Sequence, residues 1–489
     1  MTLRLAVVST AKNNNSILRN IQKLSEGEIE VVLHLGSKEN QFKASSLSRM
    51  KATNGTEGHL FENQRWTGTS KALLESADFN EQLEEFIDQA HRTSENVAFK
   101  SHGLRSMADY SDYYHILSDV ISNELITRNV EKVLFFNVPH LTYDCVLYQC
   151  AKSMGIPTLI LTQSLFPNKF FSLTEIKNYG IFSKSNDVEA YTIKNKSDLD
   201  LFYMKGIKQE REEHGRLNLR SFLNLILFLI LKRPLKALNI FYLINLIRHM
   251  SRIYGGLPKW RDPFARFFHE DSLAYFDYLA KFEDQDLDLN ADFVYFPLQW
   301  QPEMTTSALG GKFRDQAYAI ERLASILPKG VKIYVKENPM QGAYMRGPLF
   351  FHRLKRIEAV KFLPSWADTH KLTKACKFVA TITGTVGWEA ICQGKPVLVF
   401  GYAWYRNLDG VHEWSNELKY EAIANCLIDH HSLEKNVGSL LSISHEGVVD
   451  RAYQILVDNF DNQDNDAEVA RTILNLLNKK ESPTFKKSD

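Results

Sequence analysis

Between residues 293 and 400 five short apolar runs, at 293–298, 331–335, 359–363, 378–382 and 396–400, are separated by stretches with helical patterning at 315–327, 368–376 and 386–393. Uninterrupted apolar strands need a sheet covered on both faces, and helices between the strands make that sheet parallel. A looser copy of the pattern fills the N-terminal third. Runs at 3–8, 29–35, 133–136 and 158–161 read as strands, with helices around 113–125 and 143–154. Gly155 and Pro157 supply a helix stop ahead of the last of these strands.

With 489 residues the chain exceeds one ordinary core. The expectation is an α/β fold of two Rossmann-like, doubly wound domains facing a central cleft. The N-terminal domain is expected over 1–270, the C-terminal one over 271–478, and a polar flexible tail over 479–489. Within the first, 211–268 is rich in Leu, Ile and Phe, carries many Arg and Lys, and reads as a helical insertion. Its apolar run stops at Lys232-Arg233-Pro234, short of the roughly 18 residues a span needs. The near absence of acids over 217–260 suits helices lying on an anionic membrane surface. A buried helical hairpin with exposed basic ends suits it equally.

Lys and Arg total 59 against 58 Asp and Glu, which argues against nucleic acid as the main partner. Five cysteines with no CxxC pair suggest neither a disulfide framework nor a zinc site. The opening run 3–8 has no basic leader, and a reducing, cytoplasmic setting is the expectation.

Ligands of doubly wound sheets collect beyond the carboxyl ends of the strands. Three such loops in the second block carry polar residues. The loop 299–303 contains Gln301 and Glu303, and the loop after 331–335 reads Lys336-Glu337-Asn338-Pro339. After 378–382 comes Thr383-Gly384-Thr385, with Glu389 in the helix that follows. A glycine before a helix N-terminus, flanked by hydroxyls, suits a phosphate, and Glu389 could accept bonds from ribose hydroxyls. A plain threonine cap and glycine turn would look the same. Lys336 offers a phosphate-directed charge, Asn338 an amide and Pro339 a fixed turn, although a solvated turn also fits them. In the first block His140 and Asp144 follow a strand, where either could serve as general base for a sugar hydroxyl. The 163–167 loop could shape an acceptor pocket. No Walker loop, HExxH, GxSxG, EF-hand or strand-end DxD occurs, and no metal site is expected.

Taken as a set, Phe296-Pro297-Leu298-Gln299-Trp300-Gln301-Pro302-Glu303, Gly310-Gly311-Lys312-Phe313, Lys336-Glu337-Asn338-Pro339, Thr383-Gly384-Thr385-Val386-Gly387-Trp388-Glu389 and Gly394-Lys395-Pro396 resemble the capsule polysaccharide biosynthesis family. The resemblance runs over about 290–415 and is fainter over 136–171. It implies a GT-B-like glycosyltransferase, similar to capsular Kdo transferases, with the donor nucleotide held by the C-terminal domain against 336–339 and 383–385. Where the family usually has Lys-Glu-His-Pro, this chain has Asn338, which donates a hydrogen bond but carries no charge. The implied enzyme is metal-independent, inverting and without a cofactor. Its nucleotide-sugar donor is a substrate, with CMP-sugar favoured over UDP- or GDP-sugar, and its acceptor is a glycan or lipid-linked glycan. A non-hydrolysing nucleotide-sugar epimerase shares the architecture, and Asn338 also suits a non-catalytic binding subunit of an assembly complex.

Overall fold

A computed structural model describes residues 2–9, 14–35, 45–47, 65–93, 106–183, 188–193, 227, 234, 238–245, 248, 288–338, 341, 346, 348–364 and 367–487. The expected insertion at 211–268 and the expected boundary near 270 lie almost wholly outside these residues. So does Pro339.

The first sheet is built from β1 (Leu3–Val8), β2 (Ile29–Leu35), β3 (Ser45–Leu47), β4 (Lys132–Phe135), β5 (Thr158–Gln163) and β6 (Lys169–Leu173). Its spatial order places β5, β4, β1, β2 and β3 side by side as parallel neighbours, while β6 runs antiparallel to β5. The helices flanking it include α1 (Asn14–Leu24), α2 (Phe79–Thr93), α3 (Met107–Thr127) and α4 (Thr142–Ser153).

The second sheet comprises β7 (Phe293–Pro297), β8 (Lys332–Lys336), β9 (Val360–Leu363), β10 (Val379–Thr381), β11 (Val397–Val399) and β12 (Val411–Glu413). All its pairings are parallel, in the order β12-β11-β10-β7-β8-β9. The helices between them are α5 (Gln316–Ala324), α6 (Pro348–Lys355), α7 (Thr369–Ala375) and α8 (Thr385–Cys392). Strand side chains are buried on both faces, as the uninterrupted apolar runs require. Each sheet is Rossmann-like, and the order jumps from β10 to β7, leaving a switch point between the carboxyl ends of those two strands.

The end of the chain departs from the sequence expectation. After α9 (His430–Ser442) the chain returns to the first domain. There β13 (His445–Glu446) adds to β6, and α10 (Asn462–Leu477) lies along α1. Val469, Ala470, Ile473, Leu476 and Leu477 of α10 share one apolar cluster with Leu5, Val7, Ile17, Leu18 and Ile21. The span 271–478 is therefore not a single domain. The tail is no free polar end either: Phe485 is fully buried against Phe171 and Tyr179, and its amide donates to Ser172 O at 2.9 Å. One large apolar side chain is enough to anchor an otherwise polar stretch.

The domains also meet through an aromatic joint. Phe166 packs edge-on against Trp388 and Trp404 of the second domain. Within the first domain, Gln163 accepts from the amides of Val449 and Asp450 in the returning segment. The 163–167 loop, expected at an acceptor pocket, thus joins the domains. Gly180 supports the same joint, because at φ +86° a Cβ would stand 2.0 Å from Ala403 O. Among the described residues no helix is long and apolar enough to cross a membrane.

Candidate functional site

The three strand-end loops of the second sheet are tied into one unit by amides. Thr383 N–H donates to Gln299 Oε1 at 3.0 Å, and Thr383 Oγ1 donates to Thr305 O. Gln316, fully buried at the start of α5, accepts from Gln299 N and donates to Gln299 O and Gln301 Oε1. Gln341 accepts from Gln301 N at 2.9 Å and donates to Gln301 O at 2.7 Å. Buried polar groups must be paired, so these reciprocal bonds fix the loop paths closely.

Within this unit the expected site residues have different tasks. Gln301 is buried, and its Nε2 donates to Arg314 O at 2.9 Å and faces Asp88 Oδ2 of α2 at 3.4 Å. Its amide holds loops and domains together. Glu303 accepts from Thr305 N at 2.8 Å and caps the short π-helical turn at Met304–Ala308. Glu337 is 1 % exposed and pairs with Arg346 at 3.0 Å, which places its carboxylate inside the protein rather than on a donor.

Lys336 brings a cation to the carboxyl end of β8. Its Nζ donates to Thr369 Oγ1 at 2.7 Å, and burial lowers its ammonium to about 8, with Asp368 opposing the shift. It stays charged at neutral pH but poorly solvated, which strengthens its pull on an anion. Asn338 follows, half-buried, with its amide N–H given to Glu337 Oε1 at 2.7 Å. Thr383 is buried, and Gly384 is the N-cap of α8, its N–H donating to Thr381 Oγ1. Thr385 opens α8 and is half-buried. Glu389, also half-buried, has its carboxyl raised by burial, with the charge of His370 opposing. The structure therefore gathers Lys336, Asn338, Thr383, Gly384, Thr385 and Glu389 around the carboxyl ends of β8 and β10, near Thr369 and His370. Neither of these last two was singled out from the sequence.

On the first domain His140 lies two residues from the N-terminus of α4. Its Nδ1 lies 2.6 Å from Val138 O. A carbonyl only accepts, so Nδ1 carries the proton and Nε2 is the basic nitrogen of the neutral ring. Asp144 is 4 % exposed and accepts from Leu141 N at 2.6 Å. Burial pushes its carboxyl up to about 7, while bonds from the Leu141 and His140 amides oppose the shift. It holds the loop on which His140 sits.

A feature missed in the sequence flanks this loop. Glu81, Glu84, Glu85 and Asp88 recur at helical spacing along α2, and Arg314 of the second domain reaches toward them. Arg314 is 5 % exposed, and one of its guanidinium nitrogens donates to Glu81 O at 3.0 Å. Burial raises the Glu85 carboxyl to about 7 and that of Asp88 to about 6, with Arg314 pulling both down. The spacing was visible in the sequence, but a solvated helix face has the same spacing. Only the approach of Arg314 separates the two.

The sequence model of the family described as capsule polysaccharide biosynthesis protein matches residues 277–419. No curated protein matches the sequence. Among solved structures the chain is similar to the beta Kdo 2,7 transferase KpsC of Thermosulfurimonas dismutans, at 10 % identity and TM-score 0.28 over 76 % of this chain and 91 % of that one. It is also similar to Anabaena Alr3699/HepE in complex with UDP and glucose, at 14 % identity and TM-score 0.28 over 97 % and 100 %. A third is UDP-GlcNAc 2-epimerase from Neisseria meningitidis bound to UDP-GlcNAc, at 11 % identity and TM-score 0.18 over 98 % and 100 %. The matched segment contains all three strand-end loops of the second sheet, and over that segment the chain is similar to the capsule polysaccharide biosynthesis family.

Proposed function

We propose that the protein is a GT-B glycosyltransferase that moves a sugar from a nucleotide-sugar donor to a growing surface or capsular polysaccharide. The observation that carries this reading is the partly desolvated Lys336 at the carboxyl end of β8, on a loop locked by buried amides to the one that opens α8. A leaving phosphate there meets a fixed cation and free helix N–H groups without needing a metal, which is how preorganised electrostatics lowers a barrier. Asn338 adds a neutral donor, and Glu389 accepts from ribose hydroxyls. The acceptor hydroxyl gives its proton to His140 Nε2 while its oxygen attacks the anomeric carbon. The bond from that carbon to the phosphate oxygen breaks in the same displacement, inverting the centre. A CMP-sugar is the favoured donor, ahead of UDP- and GDP-sugars, and no cofactor takes part.

Thermal unfolding with CMP, UDP, GDP and their sugars, followed by transfer assays and NMR of the product anomer, tests the reading. One nucleotide should raise the midpoint, because a ligand that binds only the folded state stabilises it. Conversion of the donor without any acceptor would mark an epimerase instead. No shift with any nucleotide would favour a silent binding subunit, and retention at the anomeric centre would overturn the single displacement.

The proposed setting is cytoplasmic, peripheral at the inner face of the membrane through 217–260. In that segment Leu238, Ile240 and Phe241 expose 85, 62 and 75 % of their surface, as a helix lying on lipid requires. Sedimentation with anionic vesicles at low salt should be lost when Lys232, Arg233 and Lys236 become Glu. Equal recovery in the supernatant with and without vesicles would end this part of the proposal.

A further inference from the structure

Arg346 is a deeply enclosed charge of the second domain. It is 1 % exposed and touches two of the segments that lead into the site, 299–303 and 336–341. One terminal nitrogen, Nη1, donates to Glu337 Oε1 at 3.0 Å. The other, Nη2, donates to Gln299 O and, at 2.7 Å, to Gln341 Oε1. Its guanidinium carbon lies 5.6 Å from the ring centre of Phe350, which closes that side.

These partners are themselves relays. Glu337 Oε1 also accepts the Asn338 amide, and Lys336 directly precedes Glu337. Gln341 exchanges two bonds with the main chain of Gln301. Gln299, whose carbonyl Arg346 holds, grips Thr383 N–H through its own Oε1. A single planar fork therefore sets the relative positions of Lys336, Asn338, Gln301 and the Thr383 turn. A lysine could balance Glu337, but one ammonium lacks the fixed fork that meets several acceptors at once. Burial disfavours the Arg346 cation and Glu337 offsets this. A buried ion pair contributes little net stability and is often retained for the arrangement it specifies.

We infer that Arg346 is a positioning residue for the donor site, holding Lys336 and Asn338 in register with the Gln299–Gln301 and Thr383–Thr385 loops through Glu337 and Gln341. The role in catalysis rests on the proposed transferase reading, whereas the positioning itself does not.

The test uses the full chain carrying Arg346→Lys, which keeps a cation opposite Glu337. Amide exchange followed by mass spectrometry should speed by about tenfold or more in 299–303 and 336–341, with the first sheet unchanged. The donor KM should rise by about tenfold or more while the acceptor KM stays constant, since small misplacements of binding groups have effects of that order. A loss of folded protein alone would lower kcat and leave both KM values untouched, and that result would overturn the inference. Unchanged exchange in both segments would overturn it as well. If Arg346→Lys does not fold, Glu337→Gln takes its place, because it keeps an oxygen for the Asn338 amide and drops the charge. The same loosening is then expected over 336–341. If the wild-type chain binds neither CMP nor UDP and transfers nothing, yet Arg346→Lys still loosens both segments, the transferase reading fails and the positioning role stands.

Discussion

His140→Ala should lower turnover by about a hundredfold or more, the usual contribution of a general base, while donor affinity stays at the wild-type level. The expectation follows from the bond between Nδ1 and Val138 O, which leaves Nε2 as the basic nitrogen. Asp144→Asn should behave differently. The buried carboxyl of Asp144, pushed up to about 7, is already partly neutral at physiological pH. Asparagine keeps an oxygen for the Leu141 amide, so turnover should change by only about fivefold or less. Steady-state rates at saturating donor and acceptor separate the two variants. Near-normal turnover of His140→Ala would dismiss it as the base. Attention would then move to Glu85 on α2, whose raised carboxyl faces Asp144 and Cys145.

Gly384→Val should destabilise the second domain severely rather than block a ligand on an intact fold. The sequence alone suggests open space beside this glycine. In the structure a Cβ there would stand 2.5 Å from Gln299 Nε2 and 2.9 Å from Thr381 Oγ1. Its φ of −65° is ordinary, so the conflict is steric and not a matter of backbone strain. Pushing Gln299 aside breaks its bond to Thr383 N–H and disturbs the amide network that joins the loops. Overpacking plus unpaired buried amides costs about 3 kcal/mol or more, a fall in midpoint of roughly 6–12 °C for a domain of this size. Thermal unfolding measures it directly. A wild-type midpoint combined with lost nucleotide binding would restore the open cradle.

The second sheet was legible in the sequence because its signal is local. The run 293–298 is apolar without a break, and 331–335 and 378–382 are nearly so, the pattern of a strand covered on both faces. The loops that carry Lys336 and Thr383–Thr385 follow from the same reading, since they begin where those strands stop. The short strands β3, β6, β12 and β13 went unread. Two to five residues hold too little pattern, and their pairing depends on a neighbour supplied from elsewhere in the chain.

Residue types at strand ends do not say which way a side chain turns. Lys336, Glu337 and Asn338 are consecutive, yet Glu337 points inward to Arg346, nine residues on, while Lys336 reaches Thr369. Gln301 looked like a ligand-facing amide and is a buried link, because Gln316, Gln341 and Asp88 converge on it from separate elements.

By itself, then, the sequence determined two mostly parallel α/β sheets and the strand ends where a site must lie, because periodicity and apolar runs act over a few residues. Tertiary structure decided the return of α10 to the first domain, the burial of Phe485, the approach of Arg314 to the acids of α2, and the fork of Arg346. Each joins groups far apart along the chain or turns one residue's side chain inward. Hydrophobic and polar side chains announce that they need partners, but the partners are chosen only when the whole chain packs.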